Sequence, residues 1–436
     1  MNEQHQELLK SKLGEANFEK LAAINNSKLH KFVAEVIELG NPDSVFVCTD
    51  AQEDIDYIRN RATELGEEIR LSVKGHTYHF DGPNDQGRDR ANTKYLVPAG
   101  HDFEKTLNQM DKEEGVAEVR GFMKDSMKGR QAYLRFFCLG PVNSEYSISG
   151  VQITDSAYVG HSEDLLYRSG YEQFKKLGDS PDFFRVLHSA GEVNDKMVSV
   201  NVDKRRVYID FEEELVYSVN TQYAGNTVGF KKLAHRLAMR KADREGWLAE
   251  HMFLMGVHGP NDRVTYFSGA YPSACGKTST SMIKGETIIG DDLAYLRKRD
   301  GKVYSVNVEC GIFGIIADVN AKDDPVIWKV LMNEGEVIYS NILVSDEILF
   351  HGEQIRLPAM QYRLLSILAE NPGVCIRYED IYEHLWGDRV VEEGQMHTHK
   401  CKLNKRLQSV HPKGLITTVP KHGFLLELPQ AEVEIR

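Results

Sequence analysis

The chain has 436 residues, enough for two or three domains each burying its own core, and at 41% hydrophobic and 27% charged it has the composition of an ordinary soluble globular protein. Its formal net charge of -12 excludes a protein coated in basic surface, so any nucleic-acid contact has to be confined to one module. Six cysteines without a C-x-x-C pair argue against a zinc ribbon or a disulfide framework, and neither a signal pattern nor a membrane-length apolar run is visible, so a cytoplasmic protein without a membrane partner is expected.

Up to about Val97, helical patterns alternate with short apolar strands such as Ser44–Cys48, which predicts mixed α/β packing. The stretch DGPNDQGRDR (81–90) interrupts them; taken alone, it reads more readily as a solvated turn than as a binding loop. Farther on, Phe230, Leu233, Ala234, Leu237 and Ala238 fall on one helical face, followed by the strand-like run His251–Met255 and a strand at Arg263–Phe267.

That last strand leads into GAYPSACGKTST (269–280), and Thr278–Ile283 can open a helix. Strand, loop and helix in this order let backbone N–H groups and a helix N-terminus grip phosphate, although the usual G-x-x-x-x-G-K-[ST] pattern wants a glycine where Tyr271 stands. Lys277 would neutralise phosphate charge and the Thr278 hydroxyl would sit on a magnesium ion. Thr287–Asp292 is an apolar strand ending in Asp291 and Asp292, an arrangement like the Walker-B carboxylates that hold the same metal. Alone, His251 reads as a core histidine, Lys232 as an exposed helix residue and Cys275 as a small buried hydrophobe.

From about residue 346 the pattern changes to three amphipathic helices, at Leu357–Leu368, Tyr378–Trp386 and Val391–Val410, closed by a hairpin over 416–428, which describes a winged helix-turn-helix. Between Met396 and His422 there are six lysines or arginines and no acid, the footprint of a surface that meets phosphate.

The motifs YPSACGKT (271–278), GDDLAYL (290–296), EGWLAEHM (245–252), QYAGNTVGFKK (222–232), MKGRQAYLRFFCLGP (127–141), GRDRANTKYLV (87–97) and NVECGIFGII (307–316) resemble those of the GTP-dependent phosphoenolpyruvate carboxykinases, from about residue 20 to 345. The family loop carries Ser-Ala-Cys before Gly-Lys-Thr, which accounts for the unusual spelling here. The resemblance implies Lys232, His251 and Asp292 as manganese ligands, with Asp291 and Thr278 beside a nucleotide-bound magnesium. It implies Arg90 on the carboxylate of oxaloacetate or phosphoenolpyruvate, Tyr223, Ala224, Gly225 and Ser273 lining the substrate, and Ala274, Cys275, Gly276, Lys277, Thr278 and Ser279 around the phosphates of GTP or another nucleotide. Cys275, Arg90 and Lys232 would be the catalytic residues, Cys275 being the loop's reactive thiol. A lysine ligates metal only as the neutral amine, so Lys232 needs a depressed pKa.

Beyond Asp346 no counterpart is found for the family's later phosphate-binding arginines, guanine pocket and lid, so phosphate and metal binding with little turnover is expected. IRLPAMQYRLLSILAENPGVCIRYEDIYEHLWGD (355–388) and TTVPKHGFLLEL (417–428) resemble the OmpR/PhoB-type winged-helix domain instead. That resemblance implies double-stranded DNA as partner, with Lys400, Lys402, Lys405 and Arg406 on the third helix, His397, His399 and Asn404 as base readers, and Lys421 and His422 at the wing tip.

The expected architecture is an α/β substrate domain over 1–222, an incomplete phosphate-loop nucleotide and metal domain over 223–336, and a small α+β winged-helix domain over 337–436. The expected function is a one-component transcriptional regulator sensing metal-bound nucleotide or a C3/C4 acid. The alternative is an active GTP-dependent carboxykinase with a DNA-binding appendage.

Overall fold

The β-branched and aromatic segments of the first half assemble into a nine-stranded mixed sheet. Its order is Ser44–Val47, Gln131–Leu139, Ile148–Thr154, Phe183–Ser189, Leu215–Val219, Arg206–Asp210, Thr93–Val97 and Gln109–Asp111, with Arg168–Ser169 pairing onto the second strand. Gln131–Leu139 and Ile148–Thr154 run antiparallel, as do Leu215–Val219 and Arg206–Asp210, and the other neighbours on this path are parallel. This computed structural model describes residues 3–101, 107–271, 276–316, 319–341, 349–350, 353–354, 357–369, 371–386, 394–408 and 415–428. The chain divides into two units, Met1–Ile342 and Leu343–Arg436.

The alternation of side chains along a strand sends two sets of apolar residues to opposite faces of this sheet. Leu134, Phe136, Val151, Ile153 and Phe183 pack in one buried cluster with Leu29, Phe32, Val33 and Val36 of the helix Ser27–Gly40. Phe137, Leu139, Ile148, Phe184, Val186 and Val216 point the other way, where they meet Phe230, Leu233, Leu237 and Ala238. The apolar stripe read from the sequence is therefore buried, but its first part is a π-helical turn, Gly229–Leu233, ahead of the α-helix Ala234–Glu245. Phe230 seats directly on Gly150, where a Cβ would stand 2.5 Å from the ring. Glycine is required there by close approach, and this contact fixes the depth at which the following lysines emerge.

The expected division at 222/223 does not separate units, because the π turn and its helix share the core of the large sheet. Nor does a new unit begin at 337. Val337–Ser340 pairs in parallel with His76–His79, and Glu336 bonds the Arg59 guanidinium, so the first unit runs to Ile342. Two small antiparallel sheets complete it, one with Phe253–His258 between Val264–Gly269 and Thr287–Gly290, the other with Ala294–Arg299 between Leu248–Glu250 and Lys302–Asn307.

In the second unit, helices Ala359–Ala369, Tyr378–Trp386 and Gly394–Leu407 enclose a core of Leu364, Leu368, Ile381, Leu385, Leu403, Leu407 and Phe424. The hairpin Ile416–Val419/Gly423–Leu426 gains a third strand, Cys375–Arg377, which the sequence pattern did not announce. Among the described residues, no helix is long and apolar enough to cross a membrane.

Candidate functional site

The loop 81–90 is clamped through its buried aspartates, while Pro83, Asn84, Gln86, Gly87, Arg88 and Arg90 stay exposed. Asp81, Asp85 and Asp89 are buried, Asp81 with its carboxylate 3.1 Å from His79 Nε2 and Asp85 and Asp89 facing Arg205; burial pushes the Asp81 and Asp85 carboxyls up despite these neighbours. The Asp85 carboxylate accepts the Thr221 hydroxyl at 2.8 Å and the backbone N–H groups of Gln222 and Tyr223 at 2.6 and 3.2 Å, and pairs with Arg205 at 3.2 Å. Asp89 accepts Arg205 Nε at 2.7 Å and both the backbone and the side-chain N–H of Asn92. Farther along, Asn226 Nδ2 donates to the Gly87 carbonyl at 3.3 Å and the Asp89 N–H donates to Asn226 Oδ1 at 3.4 Å. Loop 81–90, which carries Arg90, and segment 221–226, which carries Tyr223, Ala224 and Gly225, are thus one hydrogen-bonded body. Arg90 lies exposed on it, Tyr223 is half-buried and Ala224 buried. A Cβ on Gly225 would stand 2.4 Å from the Tyr223 ring and 3.2 Å from Arg88 Cγ.

Asp292 is the centre of the second cluster. His251, placed between strands Leu248–Glu250 and Phe253–His258, holds Asp292 Oδ1 through Nε2 at 2.6 Å. Lys231 pairs with Oδ2 at 3.0 Å, and Lys277 contacts Oδ1 and donates to the Asp292 carbonyl at 3.2 Å. Burial alone would raise the Asp292 pKa, but the His251 hydrogen bond and the two lysines outweigh it and hold the carboxyl well below the usual carboxylate range. Asp291 turns to the phosphate loop, accepting the Thr278 hydroxyl at 3.1 Å, and burial pushes its carboxyl up despite Lys231. The strand-end pair expected from Thr287–Asp292 therefore meets Lys277 and Thr278.

The helix after the loop, Lys277–Ser281, has five residues behind Gly276 at φ 81°, too short to contribute much of a dipole. Lys277 and Thr278, rather than a long helix N-terminus, are the phosphate-binding groups this geometry offers. Ser279 donates to Asp324 at 3.0 Å, which engages its hydroxyl. Ser273, Ala274 and Cys275 lie outside the described residues.

Sequence reasoning missed Lys231 and Glu309. Lys231 is buried and joins Asp292 to the buried Glu309 at 2.6 Å, and burial pushes the Glu309 carboxyl up to about 7 against the pull of Lys231. The doubled lysine of GFKK was the available signal, but only one of the pair was assigned a role. Lys232, its neighbour, makes no hydrogen bond or ion pair among the described residues. Burial, then the Arg88 charge, lowers its pKa, the direction a metal-binding amine needs. A divalent cation fits this donor set. His251 and Asp292 already meet, Lys232 is uncommitted within electrostatic reach of Asp292, and the Asp292 oxygens are held by the Lys231 and Lys277 ammonium groups, whose positive charge a cation would replace.

In the second unit Lys402, Lys405, Arg406, Lys421 and His422 are exposed, and Lys400 is half-buried on the same helix. Asn404 is a correction. Its Oδ1 accepts the N–H groups of Leu415 and Ile416 at 2.9 and 3.0 Å and its Nδ2 donates to the Ile416 carbonyl at 3.1 Å, so its amide locks helix to hairpin and is not free for bidentate contact with a base. His397 packs its ring against Tyr378 and Phe424, and His399 stands 6.0 Å from the Trp386 ring, which gives both histidines a packing role.

Residues 31–243 match the phosphoenolpyruvate carboxykinase N-terminal domain, residues 247–363 the phosphoenolpyruvate carboxykinase C-terminal P-loop domain, and residues 352–426 the C-terminal domain of transcriptional regulatory proteins. The chain is 56% identical over 353 residues to the phosphoenolpyruvate carboxykinase (GTP) of Pyrococcus abyssi, covering 81% of this chain and 57% of that protein. Its identity to the enzymes of the same name is 45% in Saccharolobus solfataricus, over 79% of this chain and 55% of that protein, and 33% in Corynebacterium jeikeium, over 75% and 56%. The chain thus spans a little over half the length of the curated relatives it matches. The P-loop match continues to residue 363, past Asp346, and the expectation that the family's C-terminal part is missing finds no support in these matches. The chain carries the N-terminal and P-loop domains of the phosphoenolpyruvate carboxykinases, followed by a match to the C-terminal domain of transcriptional regulators.

Proposed function

We propose that the first unit performs carboxykinase chemistry, converting oxaloacetate and GTP to phosphoenolpyruvate, GDP and carbon dioxide. The observation that carries this reading is the convergence of His251, Lys231 and Lys277 on Asp292, with Thr278 on Asp291 behind the phosphate loop. It agrees with the names of the relatives and reverses the order of the two functions expected from the sequence.

Lys232, His251 and Asp292 would hold manganese, and Asp291 with Thr278 the nucleotide's magnesium. When bound, the manganese supplies Lewis-acid stabilisation of negative charge on the substrate oxygen. Arg90 orients the substrate carboxylate from a backbone that Asp85 and Asp89 have already fixed, so little ordering is left for the moment of reaction. Decarboxylation leaves the electron pair of the broken C–C bond in an enolate, whose oxygen attacks the γ-phosphorus of GTP as the bond to the β-phosphate oxygen breaks. Lys277 rests on Asp292 and exchanges that carboxylate for phosphate oxygens when nucleotide enters, which puts its charge where the leaving group develops. Cys275 belongs to the same phosphate loop, where we assign it to nucleotide positioning together with Ala274, Gly276 and Ser279, and Ser273 to the substrate.

A coupled assay for oxaloacetate- and GTP-dependent phosphoenolpyruvate formation by the full chain tests this, with Lys232→Ala and Cys275→Ala as controls. Turnover above both controls is expected, and none above them would refute the enzyme reading.

The second unit favours an added reading. Exposed Lys402, Lys405 and Arg406 on one helix and Lys421 at the wing tip suit contact with DNA phosphates, so the chain would couple substrate or nucleotide occupancy to DNA binding. Such regulation needs only about 1–3 kcal/mol of coupling. DNA affinity measured with and without GTP, manganese and oxaloacetate should shift about fivefold or more; an affinity that stays constant refutes the coupling.

A further inference from the structure

The substrate side of this site carries more positive charge than its assigned residues account for. Neither Arg88 nor Arg90 forms a side-chain hydrogen bond or ion pair among the described residues, and Lys232 is equally uncommitted. The only side-chain bond of Arg236 among the described residues is a contact of Nη1 with Met239 Sδ at 3.5 Å. Four cations therefore share one region, with Asp292 the acid within electrostatic reach of Arg88 and Lys232. An excess of like charge, with Asp292 already engaged by His251, Lys231 and Lys277, disfavours the folded state, and an arriving anion relieves it.

Arg88 is the member whose placement is best determined. Its two chain neighbours are both tied to Asn226, through the Gly87 carbonyl at 3.3 Å and the Asp89 N–H at 3.4 Å. Its stem lies against Gly225, where a Cβ would reach Arg88 Cγ at 3.2 Å, and its charge is felt at Tyr223, Asp292 and Lys232. The side chain remains solvent-accessible on a backbone held by the buried Asp85 and Asp89. A guanidinium presented this way is prepared for an anion rather than paired within the protein.

We propose that Arg88 is a second anion-binding residue of the substrate pocket. It takes the anionic group that Arg90 does not hold, the carboxylate or phosphate that separates a dianionic C3/C4 acid from a monocarboxylate. The assignment rests on the carboxykinase reading and makes Arg88 a specificity-determining residue within it.

The test is calorimetric titration of the full chain, with manganese present, by phosphoenolpyruvate, succinate and pyruvate in turn. Loss of one charge-assisted hydrogen-bonding group predicts that Arg88→Ala weakens phosphoenolpyruvate, succinate or both by about tenfold to a hundredfold. Pyruvate should change less than twofold, and Arg88→Lys should recover part of the loss. A loss confined to phosphoenolpyruvate assigns Arg88 to phosphate, one confined to succinate assigns it to carboxylate, and a loss on both assigns it to either anion. Unchanged binding of both dianions, or an equal loss for pyruvate, overturns the proposal while the carboxykinase reading stands. Failure of the unmodified chain to bind any of the three acids overturns that reading as well.

Discussion

Replacement of Asp85 by alanine tests whether the substrate side is held as one body. The carboxylate is fully buried, and it accepts the Thr221 hydroxyl and the N–H groups of Gln222 and Tyr223 while facing Arg205. Removing it strands two backbone donors and half of an arginine's pairing, and a broken buried charge network of this kind costs about 3–5 kcal/mol. Arg205 is partly accessible and keeps Asp89, so the lower end of that range applies. The loss falls on the contact between loop 81–90 and segment 221–226, so local opening should become at least about a hundredfold more frequent. Hydrogen–deuterium exchange of a peptide covering 220–228 reads this directly, and Arg90-dependent substrate binding should weaken in parallel. Asp85→Asn should be milder, because its amide can keep the carbonyl toward Gln222 and Tyr223. Wild-type protection at Gln222 and Tyr223 in Asp85→Ala would mean that this carboxylate does not hold the two stretches together.

Three further outcomes follow from other contacts. Gly150→Ala forces the Phe230 ring off the sheet and should destabilise the first unit by about 1–3 kcal/mol, and manganese affinity should fall because Lys231 and Lys232 follow Phe230; unchanged melting and metal affinity would contradict this. Burial pushes the Glu163 carboxyl up to about 8, against the N–H groups of Phe230 and Gly229, from an ordinary 4.5. The folded state then keeps a proton that the unfolded state releases, so stability falls as pH rises from 4.5 to about 8, by at most about 5 kcal/mol across that window. Glu163→Gln should therefore gain on wild type between pH 5 and pH 8 melts, and an equal difference at both would count against the assignment. Asn404→Ala should destabilise the second unit by about 2–4 kcal/mol with no change in the order of preferred DNA sites; a changed preference would restore Asn404 as a base reader.

How much of this was legible differs from residue to residue. The strand, loop and helix order around Gly276–Thr278 and the carboxylates after Gly290 were readable because local pattern and motif agree. The apolar stripe from Phe230 to Ala238 was readable as buried, but its π turn was not, since a shift from α to π geometry depends on how Phe230 seats on Gly150. Loop 81–90 misleads when read alone. Asp85 and Asp89 look solvated until Arg205, Thr221 and Asn226, more than a hundred residues away, are seen to hold them. Glu309 carried no local signal, because its role depends on a lysine 78 positions earlier. Asn404 looked like a base reader from its helix and proved to be a hairpin anchor, a distinction that only the facing carbonyl and N–H groups make.

In the proposed reading, His251, Asp292 and Lys232 form a metal site next to the phosphate-binding Lys277. Manganese titration of the full chain, followed by electron paramagnetic resonance with and without GTP, tests it most directly. Saturable binding is expected, which Asp292→Asn and His251→Ala each weaken by at least about tenfold, with Lys277→Ala sparing the metal and losing the effect of GTP. Manganese binding that is absent, or identical in wild type and Asp292→Asn, would contradict it.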